Sequence, residues 1–319
     1  MNIAIHDSEL SHFRKIKTFP NLAIMKLSAY HKNKGNNVEW WSPDREFDIV
    51  YSSKVFTFSK QETELPANTI TGGTGYDIQS QLPPEIDDCF PDYSMYGTCD
   101  YAVGFVTRGC PNGCAWCVVP QKEGDIRPYR DWQDIVRKDS NQIVLLDNNI
   151  LASSHGIRQL ELLTQTDYKV DINQGMDIRL VNDEICSILK QLKWIKFIRF
   201  SCDTIDQLPY FQKLNDLFQK HGIPKGKIFI YLIVRDDLSD AEYRVKSLCH
   251  INKAWAIYAQ AEHPINGSEP NWWAKQFARY VYSRAYKNGN WKKFVELYLL
   301  KNKNSQSKII TKKSFPSPK

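Results

Sequence analysis

The sequence predicts an α/β protein: a partial (β/α)6 barrel of the TIM type, preceded by a Rossmann-like α/β domain and followed by a helical extension. Three observations predict this fold class. Short apolar segments alternate with helical segments over most of the 319 residues. Six such strand and helix units follow one another in residues 99–265. The last part of the chain instead spaces its aromatic residues as an amphipathic helix does.

The N-terminal domain and its connector are expected in residues 1–98. The segments "NIAIHD", "NVEWWS" and "FDIVYSS" are typical of strands, and "NLAIMKLSAYHKNKG" is typical of a helix that ends at Gly35. This β-α-β-β order predicts a small open sheet. The Pro- and Asp-rich residues 82–99 have no periodicity, as a connector between domains should.

A glycine-rich segment, "ITGGTGYDI", follows the last of these strands. Gly72, Gly73 and Gly75 permit a tight turn and close approach of the backbone. The strict dinucleotide spacing G-x-G-x-x-G is absent. The segment is therefore either a plain loop between domains or a loop that cradles a ligand.

The central domain, residues 99–265, is predicted to contain six parallel strands that curl toward a barrel. They begin near residues 101, 142, 169, 197, 228 and 255. Helices are expected between them at "RDWQDIVRKD", "GIRQLELLTQT", "NDEICSILKQLK" and "LPYFQKLNDLFQKHG". In barrels of this type the chemistry gathers at the carboxyl ends of the strands.

The C-terminal extension, residues 266–319, is predicted to form two amphipathic helices on either side of residues 288–290, then a solvated tail. Residues 267–319 hold twelve Lys or Arg and two Glu, a balance of +10, so the rest of the +6 chain carries −4. This basic end is suited to RNA or is merely solvated. No apolar run approaches the roughly 20 residues of a membrane span, and the first residues lack the order of a signal peptide. We therefore expect a cytoplasmic protein without a membrane partner.

Three cysteines lie close together in "TRGCPNGCAWC", directly after the first barrel strand. A structural zinc site needs four ligands, which Cys89 or Cys99 would have to complete. A redox pair of Cys114 and Cys117 would leave Cys110 unexplained. Three thiolates instead match a cubane iron-sulfur cluster in which one iron stays open.

The spacing C-x-x-x-C-x-x-C, with Trp116 before the last cysteine, resembles the signature of the radical S-adenosylmethionine (radical SAM) superfamily. The longer stretch "GFVTRGCPNGCAWCVVPQKEG" is similar to the branches with an N-terminal cobalamin-binding-like or methylthiotransferase-like α/β domain. The resemblance implies that Cys110, Cys114 and Cys117 hold a 4Fe-4S cluster whose fourth iron binds S-adenosylmethionine. It also implies a partial (β/α)6 barrel with the cluster loop after its first strand.

By the same resemblance, further residues are expected to contact S-adenosylmethionine. They are Trp116, Asp147, Asn148, Gln174, Asp177 and Ser201. Asp177 has an alternative role, as the partner of Arg179 in a buried ion pair. Glu123 and Arg127, just beyond the cysteines, are expected to anchor the loop by a salt bridge.

The implied reaction is the reductive cleavage of S-adenosylmethionine to a 5′-deoxyadenosyl radical, which abstracts hydrogen from an RNA nucleoside, a peptide or a small molecule. The electron would come from a reductant such as flavodoxin or ferredoxin. Two specific branches fit less well. A methylthiotransferase would hold a second cluster on N-terminal cysteines, yet residues 1–88 contain none, and it would end in a β-rich domain rather than helices. A cobalamin enzyme would commonly show Asp-x-His-x-x-Gly, which is missing, so an empty cobalamin-like domain is favoured over a loaded one.

A second class of function remains open at the level of sequence. In this alternative, the chain is a non-catalytic iron-sulfur or zinc protein that binds nucleic acid through its basic C-terminus. Metal content and cleavage of S-adenosylmethionine separate the two classes.

Overall fold

Short apolar runs, none longer than seven residues, form the strands, and amphipathic runs between them form helices. The computed structural model describes residues 1–12, 19–59, 64–97, 99–265, 267–287 and 289–301. These residues form a mixed α/β fold with parallel sheets. They divide into two compact units: residues 1–148 with 265–267, and residues 149–264 with 268–319.

The first unit contains eight strands and four helices among its described residues. In chain order, they are β1 (Asn2–Asp7), α1 (Ser8–His12), α2 (Leu22–Asn33), β2 (Asn37–Trp40), β3 (Ile49–Ser53), β4 (Ile70–Gly72), α3 (Pro84–Asp87), β5 (Ala102–Gly104), β6 (Thr107–Arg108), α4 (Val119–Lys122), β7 (Arg127–Pro128) and β8 (Gln142–Leu145).

The N-terminal sheet has the strand order β2-β1-β3-β4, and all of its pairings are parallel. Helix α2 covers one face, where Ile3 and Ile5 of β1 pack with Ile24 and Met25. The Asn21 side chain caps this helix by accepting from the Ala23 amide at 3.1 Å. These elements agree with the predicted β-α-β-β order.

Two further strand pairings are found within this unit. Strands β5 and β8 are parallel, with Val103 opposite Val144. Strands β6 and β7 form a short antiparallel ribbon, with Arg108 opposite Arg127. The ribbon brackets the segment that carries the three cysteines.

The second unit contains six strands and six helices among its described residues. They are α5 (Ser154–Thr164), β9 (Lys169–Ile172), β10 (Met176–Asp177), α6 (Asp183–Gln191), β11 (Lys193–Trp194), β12 (Ile198–Ser201), α7 (Leu208–Lys220), β13 (Ile228–Val234), α8 (Leu238–Ile251), β14 (Ala256–Ala261), α9 (Trp272–Tyr282) and α10 (Trp291–Lys301).

Its main sheet has the order β10-β12-β13-β14, again parallel throughout, while β9 and β11 pair in parallel. Strand β13 alternates buried and half-buried residues along its length. Its buried side chains include Ile230 and Leu232, while Tyr231 between them is half-buried. Helices α8 and α9 both pack against this strand, and Tyr282 of α9 contacts the ring of Tyr258, which pairs with Tyr231.

Arg244 of α8 is fully buried, and its guanidinium group forms hydrogen bonds and an ion pair. It donates to the carbonyl oxygen of Cys202 at 2.7 Å and to that of Ile233 at 3.0 Å, and it pairs with Asp240 one turn earlier. The guanidinium therefore ties α8 to the carboxyl ends of β12 and β13.

Each of the six predicted barrel strands is confirmed as a strand: β5, β8, β9, β12, β13 and β14. Closure of these strands into one barrel stays a prediction, as do the domain boundaries near residues 98 and 265. The two predicted C-terminal helices are confirmed as α9 and α10. The predicted tail, residues 304–319, lies outside the described residues. No described helix is both long and apolar enough to cross a membrane.

The helix predicted at residues 130–139 is wrong. Only a 3₁₀ turn, Trp132–Asp134, forms there, closed by a capping box between Asp131 and Asp134. Arg137 instead turns back to the carbonyl oxygen of Cys99 at 2.8 Å and pairs with Asp139, two residues later. A helix cannot bring residues two apart onto the same face, so this pairing requires an irregular chain.

Candidate functional site

An ion pair between Arg108 and Glu123, called the staple below, joins the two ends of the three-cysteine segment. Arg108 Nε donates to Oε2 of Glu123 at 2.8 Å, and Nη2 donates to the other carboxylate oxygen. A bidentate pair of this kind fixes orientation as well as distance. The Arg108 guanidinium also lies over the Phe105 ring, 4.2 Å from its centroid. These side-chain contacts therefore hold together the two ends of the cysteine loop, residues 109–124.

Gly109 makes the first bend of this loop. Its φ is +84°, and a Cβ at this position would lie 2.2 Å from the carbonyl oxygen of Asp125. Only glycine combines such a dihedral angle with such close packing. The amide of Cys110 then donates to the carbonyl oxygen of Gly124 at 3.1 Å.

The three cysteines follow this bend, and each side chain is half-buried. A turn joins the last two, with the Cys117 amide donating to the Cys114 carbonyl oxygen at 3.0 Å. Within the described ranges, no group of three or more His, Cys, Asp or Glu side chains converges as a metal site. Rotation about the single bond between Cα and Cβ changes the direction in which a cysteine sulfur points. The donor set, three sulfurs on one loop, matches an iron-sulfur cluster with an open iron.

Asp147 supports the loop from the end of β8. Its Oδ1 accepts from the Thr107 amide at 2.5 Å and the Thr107 hydroxyl at 2.6 Å, while Oδ2 accepts from the Val106 amide at 3.2 Å. The side chain is only 1% exposed. Burial raises the pKa of Asp147 to about 6, although the three donors act in the opposite direction. The structure gives Asp147 a positioning role toward the cysteine loop, and its role toward S-adenosylmethionine stays a prediction.

This carboxyl predicts a specific pH dependence of stability. A carboxyl whose pKa is raised by folding binds its proton more tightly in the native state, so its contribution is present at low pH and is lost as the pH rises through about 6. We expect the free energy of unfolding of the wild type, relative to Asp147→Asn, to fall on the order of 3 kcal/mol between about pH 4 and pH 7. Urea unfolding of both proteins across this range measures the difference.

The comparison with Asp147→Asn cancels other titrating groups, including Asp7, whose pKa burial also raises to about 6. Asp44→Asn, at an exposed aspartate, is the matched control. A relative stability that rises with pH would show that the three donors outweigh burial.

Asn148 carries a buried hydrogen-bond donor that a ligand could satisfy. The residue is half-buried, and its Nδ2 is fully buried without an acceptor among the described residues. Because an unsatisfied buried donor is costly, this amide nitrogen fits a bound group that offers an oxygen. A carboxylate or ribose oxygen of S-adenosylmethionine has the right chemistry, whereas the amino group would have to use the amide oxygen.

The other three predicted contacts lie in the second unit. Asp177 and Ser201 stand directly opposite each other on β10 and β12, as their common placement at strand ends predicts. Gly175 allows this close pairing, since a Cβ there would lie 2.9 Å from the Ser201 amide. Gln174 is exposed. Asp177 forms a bidentate ion pair with Arg179, at 2.8 and 2.7 Å, so the alternative of an ion pair is present.

The expected salt bridge between Glu123 and Arg127 is wrong in its partner. The Glu123 carboxylate pairs with Arg108. Arg127 donates instead to the carbonyl oxygen of Glu123 at 2.7 Å. Both residues still anchor the loop, because the ribbon of β6 and β7 brings Arg108 across from Arg127.

Sequence reasoning missed two sets of charged residues at or near strand ends in the second unit. Asp203 follows β12, accepts from the Ile233 amide at 3.1 Å, and has its pKa raised by burial. Arg199 and Asp171, from β12 and β9, form an ion pair with side chains 13% and 12% exposed. Asp203 could have been predicted from the sequence, because it lies two residues after Ser201 and side chains two apart in an extended chain point to the same face. The ion pair spans 28 positions and leaves no local pattern.

Fold and loop together define the class: a mixed α/β protein of parallel sheets, whose stapled loop carries three cysteines. No protein-family model matches the chain. Over 148 residues it is 27% identical to the tRNA-2-methylthio-N(6)-dimethylallyladenosine synthase of Fusobacterium nucleatum subsp. nucleatum. The match covers 44% of this chain and 29% of that enzyme, so the chain corresponds to less than a third of the relative's length.

Proposed function

We propose that the chain is a radical SAM enzyme, in which Cys110, Cys114 and Cys117 hold a 4Fe-4S cluster. The observation that carries the proposal is the C-x-x-x-C-x-x-C segment on a loop stapled after strand β5. The partial similarity to a methylthio-adenosine synthase is in line with it. Reduction of the bound cluster supplies the electron that cleaves S-adenosylmethionine to methionine and a 5′-deoxyadenosyl radical.

The protein's own residues position the reactants in this proposal. Asp147 and the Arg108–Glu123 pair keep the loop in place. The Asn148 amide offers a buried donor to the cofactor. Trp116, next to the last cysteine, and Asp177 and Ser201, opposite each other in the second unit, complete the proposed contacts. Gln174, being exposed, would contact a ligand only from the solvent side.

The substrate class that we favour is an RNA nucleoside. The partial relative is named for a tRNA product, and the +10 balance of residues 267–319 suits a phosphate backbone. A peptide or small molecule remains the alternative. The electron donor would be a small reductant such as flavodoxin or ferredoxin. A comparison of modified nucleosides in cells with and without the protein tests the substrate class.

The test of the proposed reaction is anaerobic reconstitution of the full chain with iron and sulfide. We expect about four iron atoms per chain and, with dithionite and S-adenosylmethionine, release of 5′-deoxyadenosine. The same sample without dithionite is the control. Stoichiometric zinc with no 5′-deoxyadenosine would contradict the proposal and support the non-catalytic alternative.

A further inference from the structure

The N-terminal sheet has a topological switch point that the cysteine chemistry does not use. In the order β2-β1-β3-β4, the strand that follows β1 in the chain, β2, lies on one side of β1. The next strand, β3, lies on its other side. The register places His6 beside Ser52 and Asp7 beside Ser53 at the carboxyl edge. In open α/β sheets, ligands bind in the crevice outside the carboxyl ends of the strands at such a point.

Lys54 is the first residue beyond β3 at this edge, and it is only 6% exposed. Within the described part of the chain, its ammonium group has no hydrogen-bond acceptor and no carboxylate within ion-pair distance. Its Nζ lies over the face of the Tyr76 ring, 5.7 Å from the ring centroid. The described residues thus leave Lys54 without a counter-charge, which suits an anionic ligand.

The Tyr76 hydroxyl fixes where this ammonium lies. It contacts the Ser52 hydroxyl at 2.8 Å, and the Ser52 hydroxyl in turn contacts Nδ1 of His6 at 2.8 Å. The Lys54 ammonium, over the Tyr76 ring, therefore lies close to the ends of β1 and β3. Ser8, the residue after β1, is fully buried, and its hydroxyl has no partner among the described residues.

The glycine-rich segment packs directly on Lys54. The Gly75 amide donates to the Lys54 carbonyl oxygen at 2.9 Å. A Cβ on Gly73 would lie 2.4 Å from that oxygen, and one on Gly75 would lie 2.5 Å from Cγ of Lys54. This contact favours the ligand loop over the plain connector, because a connector has no need to enclose a lysine.

The two nearest acids of this edge are engaged elsewhere. Asp7 accepts from the Tyr96 hydroxyl at 2.5 Å and from the Glu9 amide at 3.0 Å. Glu9 accepts from the Val55 amide at 3.1 Å and from a serine hydroxyl. Neither carboxylate is within ion-pair distance of Lys54, so neither pairs with it directly.

We propose that this edge binds a phosphate group, with Lys54 as its ionic partner and the Ser8 hydroxyl as a donor. A lysine acts as a compact positive charge for phosphate, and a tetrahedral anion offers enough oxygens for both groups. The phosphate comes either from a nucleotide or from the free ion. The site is separate from the cysteine loop, so its failure would leave the proposed reaction untouched.

The experiment is calorimetric titration of the full chain with inorganic phosphate, AMP and adenosine at constant ionic strength, on wild type, Lys54→Met and Lys138→Met. Lys138 is an exposed lysine of the same unit and serves as the matched control. We expect phosphate to bind the wild type and Lys138→Met alike, and Lys54→Met at least about tenfold more weakly. Ser8→Ala should weaken binding less. Tighter binding of AMP than of phosphate would assign a nucleotide, and equal binding would assign the free ion.

Thermal unfolding adds a readout that a purely structural lysine would not give. Without phosphate, Lys54→Met should unfold close to the wild-type temperature, because the Lys54 ammonium has no ion pair or hydrogen bond to lose among the described residues. With phosphate, only proteins that retain Lys54 should gain stability. Absence of phosphate binding by the wild type, binding of adenosine as tight as that of AMP, or equal phosphate binding by Lys54→Met would overturn the proposal. Wild-type titration alone decides the matter should Lys54→Met not fold.

Discussion

Cys114→Ala protein is expected to lose its iron-sulfur cluster and its cleavage of S-adenosylmethionine together. Two thiolates cannot hold a cubane cluster that needs three protein ligands. After anaerobic reconstitution, we expect iron near background and 5′-deoxyadenosine formation lower by about 100-fold or more. Iron analysis, the absorbance of the cluster and the amount of 5′-deoxyadenosine measure the effect.

The matched control for this variant is Cys249→Ala. Cys249 is a half-buried residue of α8 in the other unit, and burial raises the pKa of its thiol. We expect this variant to bind iron and cleave S-adenosylmethionine as the wild type does. Retention of both properties by Cys114→Ala would remove the thiol from the proposed ligand set.

Gly109→Ala is expected to have the largest effect on the stability of the loop. A methyl group would lie 2.2 Å from the Asp125 carbonyl oxygen, at a φ of +84° that L-residues rarely adopt. Dihedral strain and crowding together should lower the free energy of unfolding by about 2–4 kcal/mol. Urea unfolding measures this loss, and iron content after reconstitution reports whether the loop still presents its cysteines.

Two other glycines of the loop separate the two causes. Gly124 has a φ of +69° but nothing within 4 Å of an added Cβ, and Gly113 has neither strain nor crowding. We therefore expect Gly124→Ala to cost about 1 kcal/mol and Gly113→Ala less than about 0.5 kcal/mol. Equal costs at Gly109 and Gly124 would show that the Asp125 carbonyl can move away.

The strands and most helices could be predicted from the sequence because their apolar periodicity is local. The segment around Trp132 could not, since its Trp, Ile and Val residues resemble a helix while Arg137 pairs with Asp139 and with the distant Cys99 carbonyl. Tertiary contacts overrode local propensity there. Barrel closure depends on pairings between strands far apart in sequence, which periodicity does not report.

Within the candidate site, the sequence identified the loop and its bends but not the partners that hold it. Glu123 was recognised as an anchor, yet its partner proved to be Arg108, because ribbon pairing decides which arginine faces it. The Asp147 carboxylate accepts from Thr107, 40 positions earlier, and its predicted contact with a cofactor stays a prediction. No local spacing rule connects residues so far apart.

The staple formed by Arg108 and Glu123 also determines when the loop loses its conformational entropy. Joining two positions 15 residues apart restricts the chain by roughly 2 kcal/mol. Since this ordering takes place as the chain folds, a ligand that later bridges the loop does not have to supply it. Compared with the same three cysteines on a loop without the Arg108–Glu123 pair, the stapled loop should therefore bind its ligand about 30-fold more tightly.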